Sequence, residues 1–384
     1  MSEILSTFPL SQLILLGVVF IAFLIQLVCW LRYRTLAGHR HPYRLKEGEP
    51  LPPVSVVVIV KEDQWYLESG LPSLMEQDHP QYEVVVVNDC GGPEIDDDLE
   101  ILTKRYANLR YTTIRKDDRF SHSRKIPLVV GIKACRYQNI MVTDVDARPE
   151  SDKWLANMSK GFVGPIGLVI GYTGFEPRKG VQDKYIRCSR LAWSVRYLRA
   201  AVSGRAYRGI YNNIGYTKNL FFDHRGFTHL NMAIGEDDLF VQRVAGRNNT
   251  AVVINPSSTV RQQAGGGLGW WWREQRYRTY GFKLYPRGVK ASVATELISR
   301  AVFFIAAAAL GCLSGLDANL LWTGAAGLFL FREVIVLTSV RKICRRLGER
   351  SLVPMYFLYD LISPLTETIL GISRRVKPPA GIWN

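Results

Sequence analysis

The run LILLGVVFIAFLIQLVCWL, Leu13 to Leu31, restricts this chain more than any other stretch. Gln26 is its one clearly polar residue. As a helix it matches a hydrocarbon layer of roughly 30 Å, so it reads as a transmembrane span. Glu3 is the sole charged side chain before it, and no small-x-small cleavage pattern follows, so a removable signal peptide fits poorly. Arg32, Arg34, Arg40, Arg44 and Lys46 come directly after it, with no acid until Glu47. By the positive-inside bias, this end faces the cytoplasm.

The far end answers to the same pattern. Leu297 to Leu316 and Leu320 to Val340 read as two further helices, a hairpin over 297–340 turned by DAN, and Arg341, Lys342, Arg345, Arg346 and Arg350 follow. Within the basic tail 341–384, segment 352–372 is apolar but holds Asp360, Pro364 and Glu367, which suits an interfacial or re-entrant helix as well as a third crossing. Arg332-Glu333, inside the hairpin's second helix, reads as a charge pair near that helix's cytosolic end. A short N-terminal segment 1–12, a basic linker 32–49 and a Trp/Arg-rich amphipathic stretch 263–296 fill the spaces between.

The net charge of +15 would suit nucleic acid, anionic lipid or a phosphorylated substrate. Much of it borders the apolar spans and no nucleic-acid motif accompanies it, so membrane lipid is the expected partner and nucleic acid is not. The six cysteines lack any C-x-x-C spacing and read as reduced thiols.

Residues 50–262 have the organisation of an open α/β domain. VSVVVIV (54–60) and YEVVVVND (82–89) are continuous β-branched runs, as strands buried on both faces of a parallel sheet require. Helical patterns alternate with them, and a further strand, NIMVTD, ends in the pair Asp144 and Asp146. Ligands of such sheets gather beyond the strands' carboxyl ends. Glu62, Asp89, Asp144 and Asp146 all fall there. Taken singly, each acid fits a turn or a helix cap. Brought to one rim they would repel, so a hard divalent cation, Mg2+ or Mn2+, is expected among them. No phosphate-binding G-x-x-x-x-G-K-[ST] loop occurs, and GGGLG (265–269) follows no buried strand.

VSVVVIVKED, LPSLMEQDHP, YEVVVVNDC, KIPLVVGIKAC and IMVTDVDARPESDKWL together resemble the membrane-anchored bacterial branch of family-2 glycosyltransferases over residues 50–285. The resemblance implies a GT-A fold: an open, mainly parallel sheet flanked by helices, with transmembrane helices at both ends. It implies that Asp146 coordinates the metal on a donor diphosphate, with Asp144 near metal and ribose. Glu62 and Asp89 would contact the nucleoside, and Lys125 matches a basic donor-side position. YNNIGYTKNLFF looks like the acceptor-side segment around Asn213. GEDDLFVQRVA resembles the family's acidic motif, which makes Asp237 the general base, with Glu236 and Asp238 as neighbours able to compete for the role.

WWWREQRYRTYG is similar to the Q-x-x-R-W signature through Gln275 and Arg278, with Thr279 in place of its tryptophan. Arg276 and Arg278 would neutralise the leaving diphosphate. Trp271 and Trp272, with Trp270, would form an acceptor platform or seat an amphipathic helix at the membrane surface; the surface seat is favoured. The expected activity is inverting, metal-dependent transfer from a UDP- or GDP-sugar to a lipid-linked or glycan acceptor, at the cytoplasmic face of a bacterial inner membrane. A processive polysaccharide synthase and a non-catalytic membrane scaffold are the competing readings.

Overall fold

A computed structural model describes residues 8–41, 45–61, 64–115, 124–227, 236–314 and 320–376 of the protein. Helix α1 (Leu10–Arg34) starts behind Pro9 and carries Arg32 and Arg34 in its last turn, where cations suit the helix dipole. An α/β body follows, in which β1 (Val54–Val60), α2 (Gln64–Met75), β2 (Tyr82–Asp89), α3 (Pro93–Arg105), β3 (Leu109–Ile114), α4 (Lys125–Ala134) and β4 (Asn139–Asp144) alternate. Then come β5 (Ala147–Pro149), α5 (Trp154–Ser159), β6 (Leu168–Ile170), β7 (Thr173–Phe175) and the long α6 (Val181–Val202). β8 (Ile214–Thr217), α7 (Lys218–Asp223), α8 (Glu236–Val244), β9 (Thr250–Val252) and β10 (Val260–Gln262) complete the body. Helices α9 (Leu268–Gly281), α10 (Arg287–Ser314), α11 (Leu320–Leu347) and α12 (Val353–Val376) close the chain.

The main sheet has the order β3-β2-β1-β4-β8-β6-β9, and β5-β10-β7 forms a second, smaller sheet. β1 to β4 pair in parallel, whereas β8 runs antiparallel to both β4 and β6. Every residue of β1 is buried. The pleat sends Val54, Val56, Val58 and Val60 into a cluster with Leu67, Leu71, Ile95 and Trp154, while Val57 and Ile59 meet Leu128, Ile132 and the α6 side. This two-sided burial is why valine and isoleucine dominate both central strands. Register sets Ile59 opposite Asp144 and Val60 opposite Asn88, so the three central strands end nearly level and bring Asp89 and Asp144 to one rim.

Among the described residues, three helical spans are long and apolar enough to cross a membrane: Leu10–Gly38, Arg287–Leu313 and Leu321–Leu347. α1 packs on α10 through Val19, Phe23, Phe303 and Ala306. The hairpin's first helix begins at Arg287 rather than at 297, because Glu296 is not a helix-end charge: it is buried in ion pairs with Arg196 and Arg300. The position expected for Arg332-Glu333 also needs correction. Arg332 points into the helix bundle, meeting Asp360 of α12 at 2.6 Å and donating to Gln26 of α1 at 3.1 Å. α12 is outside the three spans; it turns Asp360 and Ser363 inward and leaves Leu358, Leu361, Leu365 and Ile369 exposed. That is the two-faced pattern of an in-plane amphipathic helix.

Glu349, just past α11, ties the two parts together. It is buried and accepts from Arg187 of α6 at 2.6 Å, from Tyr172 at 2.9 Å and from Arg261 of β10. All six cysteines are free thiols.

Candidate active site

Among the described residues, the acids at the strand ends do not form one cluster of three or more, and each has its own partners. Asp89 is buried and pairs with Lys61 at 3.4 Å. Asp144 accepts from the amide of Val145 at 2.9 Å and meets Arg124 at 3.2 Å. Arg124 in turn lies over the ring of Tyr211, 3.6 Å from its centroid. Burial works against its charge, yet Asp144, Tyr211 and Asp237 outweigh that and hold its proton more firmly than usual. Asp237 therefore lies within electrostatic reach of the Asp144–Arg124 pair.

Beyond Asp144 the backbone turns sharply, and Gly70 of α2 makes room for the turn. A Cβ at Gly70 would overlap the carbonyl oxygen of Val145, the residue between the two aspartates. Gly70→Ala is accordingly expected to cost about 1–3 kcal/mol of stability, because the helix or the aspartate turn must shift. Thermal unfolding checks this; an unchanged melting temperature would contradict the close packing.

Asp146 faces a cavity of about 480 Å³ whose lining includes Tyr211, Gln262, Trp270, Glu274 and Arg278. Its Oδ2 accepts from Nε2 of Gln262 at 3.0 Å, which fixes the carboxylate against β10. Arg178 and Arg190 belong to the same lining. Arg190 donates to Oε1 of Gln262 at 3.1 Å and sits 4.3 Å from the centroid of Phe175. Arg278 pairs with Glu274 at 3.7 Å. Burial first, and then the neighbouring Arg190, push the Arg278 guanidinium down to about 9; burial lowers Arg190 as well. Several arginines forced together beside two carboxylates make a cavity that favours a polyanion.

Among the described residues, no group of three or more His, Cys, Asp or Glu side chains is placed to hold a metal ion. Asp146 nevertheless offers a hard oxygen donor to an open polar cavity. One carboxylate completed by substrate phosphates is an ordinary magnesium arrangement, so the residues fit a Mg2+ or Mn2+ bound together with a diphosphate. The expectation of a four-acid rim is corrected: Asp89 is engaged by Lys61 and Asp144 by Arg124, and Glu62 lies outside the described residues.

A model of glycosyl transferase family 21 matches residues 14–366. The chain belongs to glycosyl transferase family 21. Family 21 thus replaces the family-2 branch as the assignment, and the activity is glycosyl transfer. No curated protein sequence matches the chain. Among solved structures, it is similar to the mannosyltransferase PcManGT from Pyrobaculum calidifontis, in complex with GDP-Man and Mn2+: TM-score 0.56, 16% identity, covering 93% of this chain and 99% of that one. TarS 1-349 of S. aureus is more distant, with TM-score 0.41, 17% identity and coverage of 82% of this chain and 91% of that one. The first of these likenesses shows the fold.

Several expected site residues of this family-21 enzyme have other surroundings. Asn213 is corrected from acceptor contact to internal latch: it is fully buried, donates to the carbonyls of Tyr172 at 2.8 Å and Ser258 at 2.9 Å, and accepts from the Trp154 indole at 3.0 Å. Trp271 is also buried, edge-on to Tyr185 at 5.3 Å, and Trp272 packs beside it. The favoured membrane-surface seat for these tryptophans is therefore corrected as well, since α9 packs them against the main core cluster on the α6 side. Trp270, meeting Phe175 at 5.6 Å, is the tryptophan that reaches the cavity.

Gln275 is buried, and neither it nor Arg276 lines the cavity. Lys125 opens α4 beside Arg124, which is the base that meets Asp144. Glu236 opens α8, and its side chain lies outside the described residues. Asp238 is held at 3.6 Å by Arg208 and accepts from the Tyr285 hydroxyl; burial raises its carboxyl above the usual range. That leaves Asp237, half-buried and acting on Arg124, as the acid of the motif best placed toward the aspartate turn. Arg124, Arg178 and Arg190 escaped the motif comparison. The available signal was the arginine spacing of α6, where Arg187, Arg190 and Arg196 interrupt a helix buried almost all round.

Proposed function

We propose that this family-21 enzyme transfers a sugar from a UDP- or GDP-sugar, with inversion, to a lipid-linked or glycan acceptor at the cytoplasmic face of a membrane. The observation that carries this reading is the cavity in which Asp146 faces Arg178, Arg190 and Arg278. The arginines bind the diphosphate and stabilise the charge that develops on it as the glycosidic bond breaks. A Mg2+ or Mn2+ on Asp146 would add Lewis-acid stabilisation of that leaving group. PcManGT, which shares the fold, is solved with GDP-Man and Mn2+, and this supports the same donor class. Trp270 gives the cavity an apolar wall against which a sugar or base can pack, and Asp237 removes the proton from the acceptor hydroxyl. Helices α1, α10 and α11 cross the bilayer, with Arg32, Arg34, Arg345 and Arg346 at the cytoplasmic ends.

Calorimetric titration of the detergent-solubilised enzyme with UDP and with GDP, each with and without manganese, tests the reading. One nucleotide should bind and require the metal; binding of neither would remove the donor class. The same titration has an expected pH profile. Arg278 loses its charge near pH 9 in the free enzyme, and a diphosphate needs that charge. Affinity should stay level up to about pH 8.5 and then fall by up to about tenfold per unit. Folding responds oppositely: the unfolded chain holds the Arg278 proton more firmly, so this group favours folding increasingly as pH rises above 9. Arg278→Gln should bind more weakly at neutral pH and lose the profile, whereas a level profile in the unaltered enzyme would take Arg278 out of the diphosphate contact.

A further inference from the structure

A second cavity, of about 380 Å³, lies where α1, α6 and α10 meet, and it shares no lining residue with the first. Its apolar wall comes from Ala200, Val289 and Val293, and its polar wall from Arg32, Arg199 and Arg205. Arg196 also lines it but is paired with Glu296 at 2.9 Å. None of the lining residues is acidic. Among the described residues, Arg32 and Arg205 make no ion pair, and Arg199 donates only to the backbone carbonyl of Arg32, at 2.9 Å. Burial, Arg32 and Arg205 together lower the affinity of Arg199 for its proton, so the three cations oppose one another. The first turn of α10, which also lines the cavity, carries no acid, and its dipole adds to the positive potential.

The position of the cavity identifies the kind of anion. Leu24, Val28 and Leu31 form an exposed apolar stripe along α1, and the stripe ends at Arg32. The cavity therefore opens where a bilayer's acyl region gives way to headgroups.

We infer that this cavity is a binding site for the phosphate headgroup of an anionic membrane phospholipid, with Arg32, Arg199 and Arg205 holding the phosphate and Val289 and Val293 receiving the start of the acyl chains. The bound lipid is an accessory ligand and is not consumed. Its phosphate relieves the mutual repulsion of the three arginines and fixes α1 against α6. The inference rests on the proposed bilayer placement of α1 and is independent of the donor chemistry.

Native mass spectrometry of the full chain in detergent, titrated with phosphatidylglycerol or with phosphatidylcholine, tests it. Phosphatidylglycerol should be retained in preference by on the order of tenfold or more. The preference should vanish in R32Q/R205Q, survive in R341Q/K342Q, which removes the same charge elsewhere, and withstand excess inorganic phosphate. R199Q, read separately, should weaken retention in the same direction. Nucleotide binding by R32Q/R205Q should equal that of the unaltered enzyme, which shows that the variant is folded and keeps this question apart from the donor reading. Equal loss in R341Q/K342Q would reduce the effect to general charge and overturn the site. Displacement by phosphate would overturn the lipid as its source, glycosylation of the bound lipid would make the cavity an acceptor route instead, and a chain soluble without detergent would remove the bilayer placement itself.

Discussion

Asp146→Asn is expected to lower kcat/KM by at least about 10³-fold and to abolish the metal dependence of nucleotide binding. The substitution keeps the size of the side chain and leaves an acceptor for Gln262, which Asp146 now meets at 3.0 Å. What it removes is a negative charge facing the arginine-lined cavity and the hard oxygen donor that a divalent ion needs. The fold should survive, because the aspartate turn is built on Gly70 and on the Asp144–Arg124 pair, not on Asp146. Single-turnover kinetics with the preferred nucleotide sugar, run beside nucleotide titration with and without manganese, read both effects. Turnover within tenfold of the unaltered enzyme would exclude Asp146 from the reacting centre. Gln262→Ala should show a milder version of the same defect, since it removes one anchor of Asp146 without discharging it.

Asp237→Asn separates chemistry from donor binding. A general base contributes about 10²–10⁴-fold to a rate, so kcat should fall by that amount while nucleotide affinity stays within about twofold. The neighbouring Asp238 should behave differently: it is locked between Arg208 and Tyr285, so Asp238→Asn should appear first as lost stability. Transfer rates measured on both variants at matched folded fractions decide between them. If Asp238→Asn alone stopped turnover while remaining as stable as the unaltered enzyme, the base would be Asp238 and the motif would have been read one residue out.

Much of the body was legible because its signals are local. Val54–Val60 and Tyr82–Asp89 are dominated by valine and isoleucine with almost every position buried, and a sheet covered on both faces uses strands of that composition. The aspartates past those strands were visible for the same reason. The partners of those aspartates were hidden. Lys61 and Arg124 neutralise Asp89 and Asp144 at contacts set by tertiary packing, so the repulsion that seemed to demand one shared cation is largely relieved by protein groups. Arg178 and Arg190 lie outside every motif, on or beside a helix whose nearly uniform burial erases the amphipathic pattern that would have marked it. The triple tryptophan misled for a related reason: aromatic residues near apolar spans suit a membrane interface and a protein core equally, and composition does not choose between them.

The buried carboxylate of Glu349 bears on what the enzyme can reach. Through Arg261 it grips the strand whose next residue, Gln262, holds Asp146, and through Arg187 it grips α6, while its own backbone continues from α11. The cavity floor and the end of α11 thus form one frame. In the bilayer placement proposed above, the reacting carbon of the donor stays at a constant height above the lipid. Which hydroxyl receives the sugar is then settled by geometry on the other side of the reaction: the acceptor must be long enough to lift that hydroxyl to the cavity, and one whose hydroxyl sits lower is refused however well its remaining groups fit.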